Sequence, residues 1–185
     1  MLNRIIIILA IIAAVIGYSV YQRQSLETQL SNKSESILNK MPQGVFETLE
    51  GQTFDPHAEQ AALTIVHFWG TWCGPCEAEL PELLTLIKRF EGRTDVRFLL
   101  VAVNDDKIKV QKHLKTLPIP KSNILWLLDN KNIHRDTYGT TRVPETYVFS
   151  SDKTTLRKYV GPQEWNKTMF FETFDEFLKI STTKL

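Results

Sequence analysis

Leu63-Thr64-Ile65-Val66-His67-Phe68-Trp69-Gly70-Thr71-Trp72-Cys73-Gly74-Pro75-Cys76-Glu77-Ala78-Glu79-Leu80-Pro81 is the stretch whose reading decides the fold. Its first seven residues are apolar, β-branched or aromatic with one histidine, which predicts a short strand buried on both faces. Gly70-Thr71-Trp72 then turns the chain. A helix follows from about Cys73 to Phe90, with Leu80, Leu83, Leu84, Ile87 and Phe90 on one face. Pro75 costs this helix nothing, because the first turn leaves its N–H groups unpaired in any case. Pro81 lies inside it, where its ring opposes the Glu77 carbonyl and predicts a kink.

A cysteine between a buried strand and such a helix stands at the positive end of the helix dipole, beside unpaired backbone N–H groups. Both stabilise a thiolate, so the Cys73 pKa is expected to fall and its reactive fraction to rise. Two intervening residues, Gly74 and Pro75, let Cys76 close a small disulfide with Cys73 and later reopen it. The blander alternative is half of a zinc site. The remaining histidines, His57, His67, His113 and His134, show no paired spacing to complete it. The strand–turn–helix context favours redox chemistry. Copper(I) accepts two thiolates, so a copper or zinc chaperone stays open as a second function class. A thiol peroxidase lacks its lone cysteine in a Pro-Thr-Cys setting.

Outward from this stretch, the 185 residues hold ten phenylalanines and four tryptophans, enough to argue for a real core and against disorder. The 22 basic and 21 acidic side chains nearly cancel, so charge makes no case for a nucleic-acid partner. Cys73 and Cys76 are the only two cysteines, which excludes a framework of structural disulfides.

Residues 5–16 are an unbroken apolar run, extended to Tyr21. At helical rise this segment spans about 25 Å, enough to cross a thin bilayer. Gly17-Tyr18-Ser19 is the only small-x-small pattern, so residues 1–21 read as an uncleaved anchor in preference to a cleaved signal. Arg4 and Arg23 flank the run and give a slight charge bias. The cysteine chemistry tips the choice to a single pass through the inner (cytoplasmic) membrane, with the domain on the periplasmic side. Residues 22–41 are polar and read as a stem or linker. The folded domain is expected over 42–185.

Within it, residues 45–49 and 52–54, joined by Glu50-Gly51, read as a hairpin. Strands are expected over 96–103, 124–128, 145–149 and 156–160. Helices are expected from Asp105 or Asp106 to about Thr116, over 132–139, and from Gln163 or Glu164 onward. Trp165, Met169, Phe170, Phe174, Phe177 and Leu178 form the expected buried face of the last helix. Strands alternating with helices, followed by a hairpin, predict an α/β fold with a mixed central sheet flanked by helices.

On these residues the chain resembles the thioredoxin superfamily. The 68–76 segment looks like its active-site line. The continuation through Glu79-Leu80-Pro81 is similar to the TlpA/ResA/CcmG branch. Val143-Pro144-Glu145-Thr146-Tyr147-Val148-Phe149 resembles the second half of the site, a cis-proline loop entering a strand, and its Pro-Glu-Thr form leans towards the CcmG type. Cys73 and Pro144 stand 71 positions apart, which leaves room for a central insertion of a helix and a strand.

The resemblance implies a thiol–disulfide oxidoreductase with no cofactor beyond the Cys73–Cys76 disulfide. Cys73 would be the exposed nucleophile and Cys76 the buried resolving thiol. Trp72, Gly74, Pro75, Val143 and Pro144 would support the redox site. Its partners would be disulfide-containing exported proteins, apocytochrome c or its maturation factors among them, and a membrane thiol electron donor. Gly-Pro between the cysteines resembles reducing members, so reduction is favoured over oxidation.

Three residues carry a sharp and a bland reading side by side. Glu79 could tune a cysteine pKa or move a proton, or could be a solvated helix glutamate. Glu145 shares that ambiguity and adds a role in partner choice. His67 departs from the family, which places aspartate or asparagine there. It could accept the Cys76 proton and titrate near neutral pH, or be a packed core histidine.

Overall fold

The computed structural model describes residues 17–19, 22, 38–121 and 123–183. The apolar run assigned to a membrane anchor lies almost wholly outside the described residues. Among those described, no helix is long and apolar enough to cross a membrane.

The elements are β1 (Phe46–Thr48), β2 (Thr53–Phe54), β3 (Leu63–Trp69), α1 (Gly74–Lys88), β4 (Val96–Val103), α2 (Lys107–Leu114), β5 (Ile124–Asp129), α3 (Ile133–Thr137), β6 (Glu145–Ser150), β7 (Thr155–Val160) and α4 (Thr168–Thr183). They form one seven-stranded sheet in the order β2-β1-β5-β4-β3-β6-β7. β3, β4 and β5 run parallel, whereas β6 pairs antiparallel with β3, and β1 antiparallel with β5. The mixed sheet expected from the element order is therefore present, and α2, β5 and α3 lie between β4 and β6 in the chain.

Both sheet faces are covered, which is why β3 is buried along its whole length. Strand alternation sends Leu63, Ile65 and Trp69 to one face, with Phe98 and Leu100 of β4. There they meet Leu80, Leu83, Leu84 and Ile87 of α1, and Phe170, Phe174 and Leu178 of α4. Val66 and Phe68 face the other way, with Leu99, Val101, Tyr138, Tyr147 and Phe149. His67 has the parity of the first set. A polar ring is thus delivered into the apolar layer beneath α1.

Two expectations need correction. The last helix begins at Thr168, not at Gln163 or Glu164; the Gln163 backbone N–H and the Trp165 indole N–H are engaged with Glu79 of α1 instead. Met169, expected in the core, is 57% exposed, while Trp165 is buried ahead of the helix. Pro81 lies within α1 without ending it. Residues 39–41 already bond into the β6–β7 turn, through Met41 N–H to the Lys153 carbonyl and Thr155 N–H to the Asn39 carbonyl.

Candidate active site

β3 ends at Trp69, and the turn that follows is held from β4. The Asp105 carboxylate accepts from Thr71 N–H at 2.6 Å and from Thr71 Oγ1–H at 2.9 Å. The Trp72 indole N–H donates to the Val103 carbonyl at 3.0 Å. Trp72 is nevertheless 57% exposed, so one edge of its ring is tethered and the rest faces solvent. Trp69 packs in the core.

Cys73 is the N-cap of α1, Gly74 and Pro75 open its first turn, and Cys73 and Cys76 are joined in a disulfide. The Cys76 backbone N–H points at Cys73 Sγ from 3.3 Å. That is the donor a Cys73 thiolate would need once the disulfide opens. Cys76 is 0% exposed and Cys73 6%, so the expected exposed nucleophile is nearly covered in the closed disulfide, and Cys73 is the more accessible residue of the two. The Val143–Pro144 peptide is cis, and the Val143 carbonyl oxygen lies 3.7 Å from Cys73 Sγ. Two segments 70 positions apart therefore meet at one sulfur.

Glu79 is not a solvated helix glutamate. It is buried, and its Oε2 accepts from Gln163 N–H at 2.7 Å and from the Trp165 indole N–H at 3.0 Å. Burial pushes its carboxyl up to about 7 against those two donors, with Glu82 adding to the rise. His67 is buried too, with Nδ1 2.9 Å from Thr146 Oγ1. Desolvation takes its pKa down to about 3, so the expectation of titration near neutral pH is overturned. His67 Nε2 and Glu79 Oε1 lie 3.6 Å apart. Burial disfavours the charged form of each, so the contact favours a neutral ring beside a protonated acid over an ion pair.

Glu145 is separated from this cluster. It points to the opposite sheet face, where Lys158 Nζ lies 3.0 Å away and Tyr147 O–H donates at 3.2 Å. Being 1% exposed, it cannot touch a partner, which removes its expected role in partner choice. Among the described residues there is no group of three or more His, Cys, Asp or Glu placed to hold a metal ion.

Thr71, Asp105, Thr146, Gln163 and Trp165 were not legible as site residues. Asp105 and Asp106 both read as candidate helix caps; Asp106 is the cap, and Asp105 holds the turn before Cys73. Thr146 becomes significant only through register, which sets it opposite His67.

The sequence profile of the Redoxin family matches residues 38–174, which contain the disulfide, the cis-proline and Glu79. The chain belongs to the Redoxin family. It is 25% identical over 154 residues to the thiol-disulfide oxidoreductase ResA of Halalkalibacterium halodurans, covering 83% of each chain. It is likewise 25% identical over 154 residues to ResA of Bacillus subtilis, covering 83% of this chain and 82% of that one. In fold it is similar to a thiol:disulfide interchange protein of the thioredoxin family from Chlorobium tepidum. That similarity has a TM-score of 0.58 at 23% identity, over 77% of this chain and 95% of that one. This Redoxin-family chain is similar to the ResA proteins over most of its length, and its activity is that of a protein thiol–disulfide oxidoreductase.

Proposed function

We propose that the chain is a membrane-tethered, extracytoplasmic reductase of disulfides in exported proteins, with the cysteine pair of apocytochrome c as its favoured substrate. The observation that carries the reading is the Cys73–Cys76 disulfide at the N-terminus of α1, with the Cys76 N–H on Cys73 Sγ and the cis-proline loop beside it. The apolar run over 5–16 and the absence of any other cysteine support the location. The Pro144-Glu145-Thr146 sequence supports the substrate, and Gly74-Pro75 supports the direction.

In the reduced protein the Cys73 thiolate attacks one sulfur of the substrate disulfide and releases the other as a thiolate, which takes up a proton. Cys76 then loses its proton and attacks Cys73 Sγ, which frees the second substrate thiol and closes the Cys73–Cys76 disulfide. One substrate disulfide is reduced and one dithiol oxidised. Glu79 is the proton acceptor for Cys76 in this scheme. With a carboxyl near 7 it can both take and release a proton at neutral pH. His67 lies behind it as a neutral hydrogen-bonding group. Trp72, Val143 and Pro144 would form the contact surface for the substrate segment. A membrane thiol donor would return the dithiol to its reduced form.

Two measurements test this. The reduced protein should turn over insulin disulfides in the presence of a thiol donor. Cys76→Ala should hold the physiological substrate on Cys73 as a mixed disulfide. No insulin turnover with Cys73 intact, together with tight copper(I) binding, would replace the reductase by a metal chaperone.

A further inference from the structure

His67 Nε2 and Glu79 Oε1 are both buried, and neither has a hydrogen-bond partner. They face one another at 3.6 Å, just beyond bonding distance. Each side chain is anchored at its other end. His67 Nδ1 is held at Thr146 Oγ1, and Glu79 Oε2 by Gln163 N–H and Trp165 Nε1–H. Neither group can turn away to another partner without giving up a bond it already has. A contraction of about half an ångström would satisfy both atoms at once.

An imidazole with one proton can meet this arrangement in two ways. When Glu79 is protonated, its hydroxyl donates to His67 Nε2, and the ring donates from Nδ1 to Thr146 Oγ1. When Glu79 is ionised, the ring donates from Nε2 to the carboxylate, and the Thr146 hydroxyl donates to Nδ1. Threonine serves both states because a hydroxyl is donor and acceptor alike. The ring carries one proton in each state. The two states differ by the single proton that Glu79 gives up to solvent.

We propose that Thr146, His67 and Glu79 form a coupled proton relay in which loss of the Glu79 proton switches the tautomer of His67, with Thr146 as the positioning residue that permits both tautomers. The inference deepens the reductase reading, because it gives the proton acceptor for Cys76 a partner that compensates each of its charge states. Every element around Glu79 contributes. β3 presents His67 and β6 Thr146, which are direct partners in the antiparallel register. α1 presents Glu82, and the segment after β7 presents Gln163 and Trp165. Glu82 and Glu164 line the groove that also reaches Glu79, and this groove gives the proton its way out.

The test is the ¹⁵N spectrum of the histidine-labelled full chain with its disulfide closed, followed from about pH 5 to about pH 9. His67 is assigned by the signals lost in His67→Asn. The expected result is a neutral ring throughout, with Nδ1–H at the acid end and Nε2–H at the alkaline end. The midpoint should fall near the Glu79 value of about 7, with the tautomer ratio changing roughly tenfold per pH unit. Glu79→Gln should hold one tautomer across the range. Thr146→Val should abolish the switch and Thr146→Ser should restore it. One tautomer at every pH in the unaltered chain, a doubly protonated ring, or a switch that survives Glu79→Gln would each overturn the relay. If Thr146→Val fails to fold, the unaltered and Glu79→Gln spectra still decide. The experiment needs no substrate, so its failure would leave the reductase reading standing, and failed insulin turnover would leave the relay standing.

Discussion

At the scale of single residues, Glu79 and His67 have opposite pH signatures because burial disfavours the charged form of each. Glu79 is raised to about 7 in the fold from an ordinary value of 4.5, so the folded state binds the proton more tightly than the unfolded chain. Its favourable contribution is complete below about 4.5 and is lost as the pH rises towards about 7. Glu79→Gln should therefore gain stability relative to the parent between pH 5 and pH 8, by about 2 kcal/mol, as read by urea unfolding at the two pH values. The same change should slow resolution of the mixed disulfide at neutral pH. For His67 the sign reverses. Its folded value of about 3 lies below the ordinary 6.5, so stability is present above 6.5 and lost as the pH falls towards 3. Trp72 acts at the surface and should be silent in both respects. Trp72→Ala should slow reduction of a protein disulfide about tenfold, or about 1.4 kcal/mol, and leave the rate with a small disulfide unchanged. Equal losses for both substrates would show that the ring shapes the turn rather than the contact.

At the scale of elements, two connections outside the cysteine motif hold the site together. The β4–α2 turn is one. Asp105 accepts from Thr71 N–H, Thr71 Oγ1–H and Asp106 N–H, so a single carboxylate ties the catalytic turn to the start of α2. Asp105→Ala leaves these donors without their acceptor and should cost about 1–3 kcal/mol in unfolding free energy. It should also lower the insulin-reduction rate, because the turn before Cys73 loses its fixed position. The segment between β7 and α4 is the other. Trp165 supplies one of two N–H donors to Glu79, and both donors favour the ionised carboxylate. Trp165→Phe keeps an aromatic ring in the core and removes that donor. The pH midpoint of the Glu79-linked step should then rise, by up to about one unit, and an unmoved midpoint would show that the indole only packs.

At the scale of the whole molecule, the sheet is a partition between two apolar layers of different service. The layer beneath α1 and α4 carries the redox site and its buried polar cluster. The opposite layer is aromatic, with Phe46, Phe68, Tyr138, Tyr147 and Phe149 in mutual ring contact. Glu145 and Lys158 form an ion pair on this second side. Stability rests on both layers, since the one disulfide must open in every turnover. Phe174 joins α4 to the first layer and is fully buried. Phe174→Ala should cost about 3–5 kcal/mol in denaturant unfolding, without changing the pH dependence of the Glu79-linked step.

Short-range chemistry made much of this legible from the order of residues alone. The β3–α1 unit, the N-terminal placement of Cys73 and the strand at Val96–Val103 all follow from local pattern and turn chemistry, whereas the cis peptide at Pro144 is expected only from the family resemblance. Where the sequence reading stopped short, the deciding contacts lie far apart in the chain. Glu79 meets residues 84 and 86 positions away, and His67 meets Thr146 across 79. No periodicity encodes such distances. The start of α4 lies at Thr168, and ahead of it the Gln163 and Trp165 N–H groups serve Glu79 rather than a helix. Glu145 lost its partner-facing role because strand parity turned it away from the cysteines. The sequence by itself determined that two thiols would meet at the head of a helix. Only the tertiary structure decided which groups meet Glu79 and His67, because a pKa depends on desolvation and on neighbours that strand register and packing bring in.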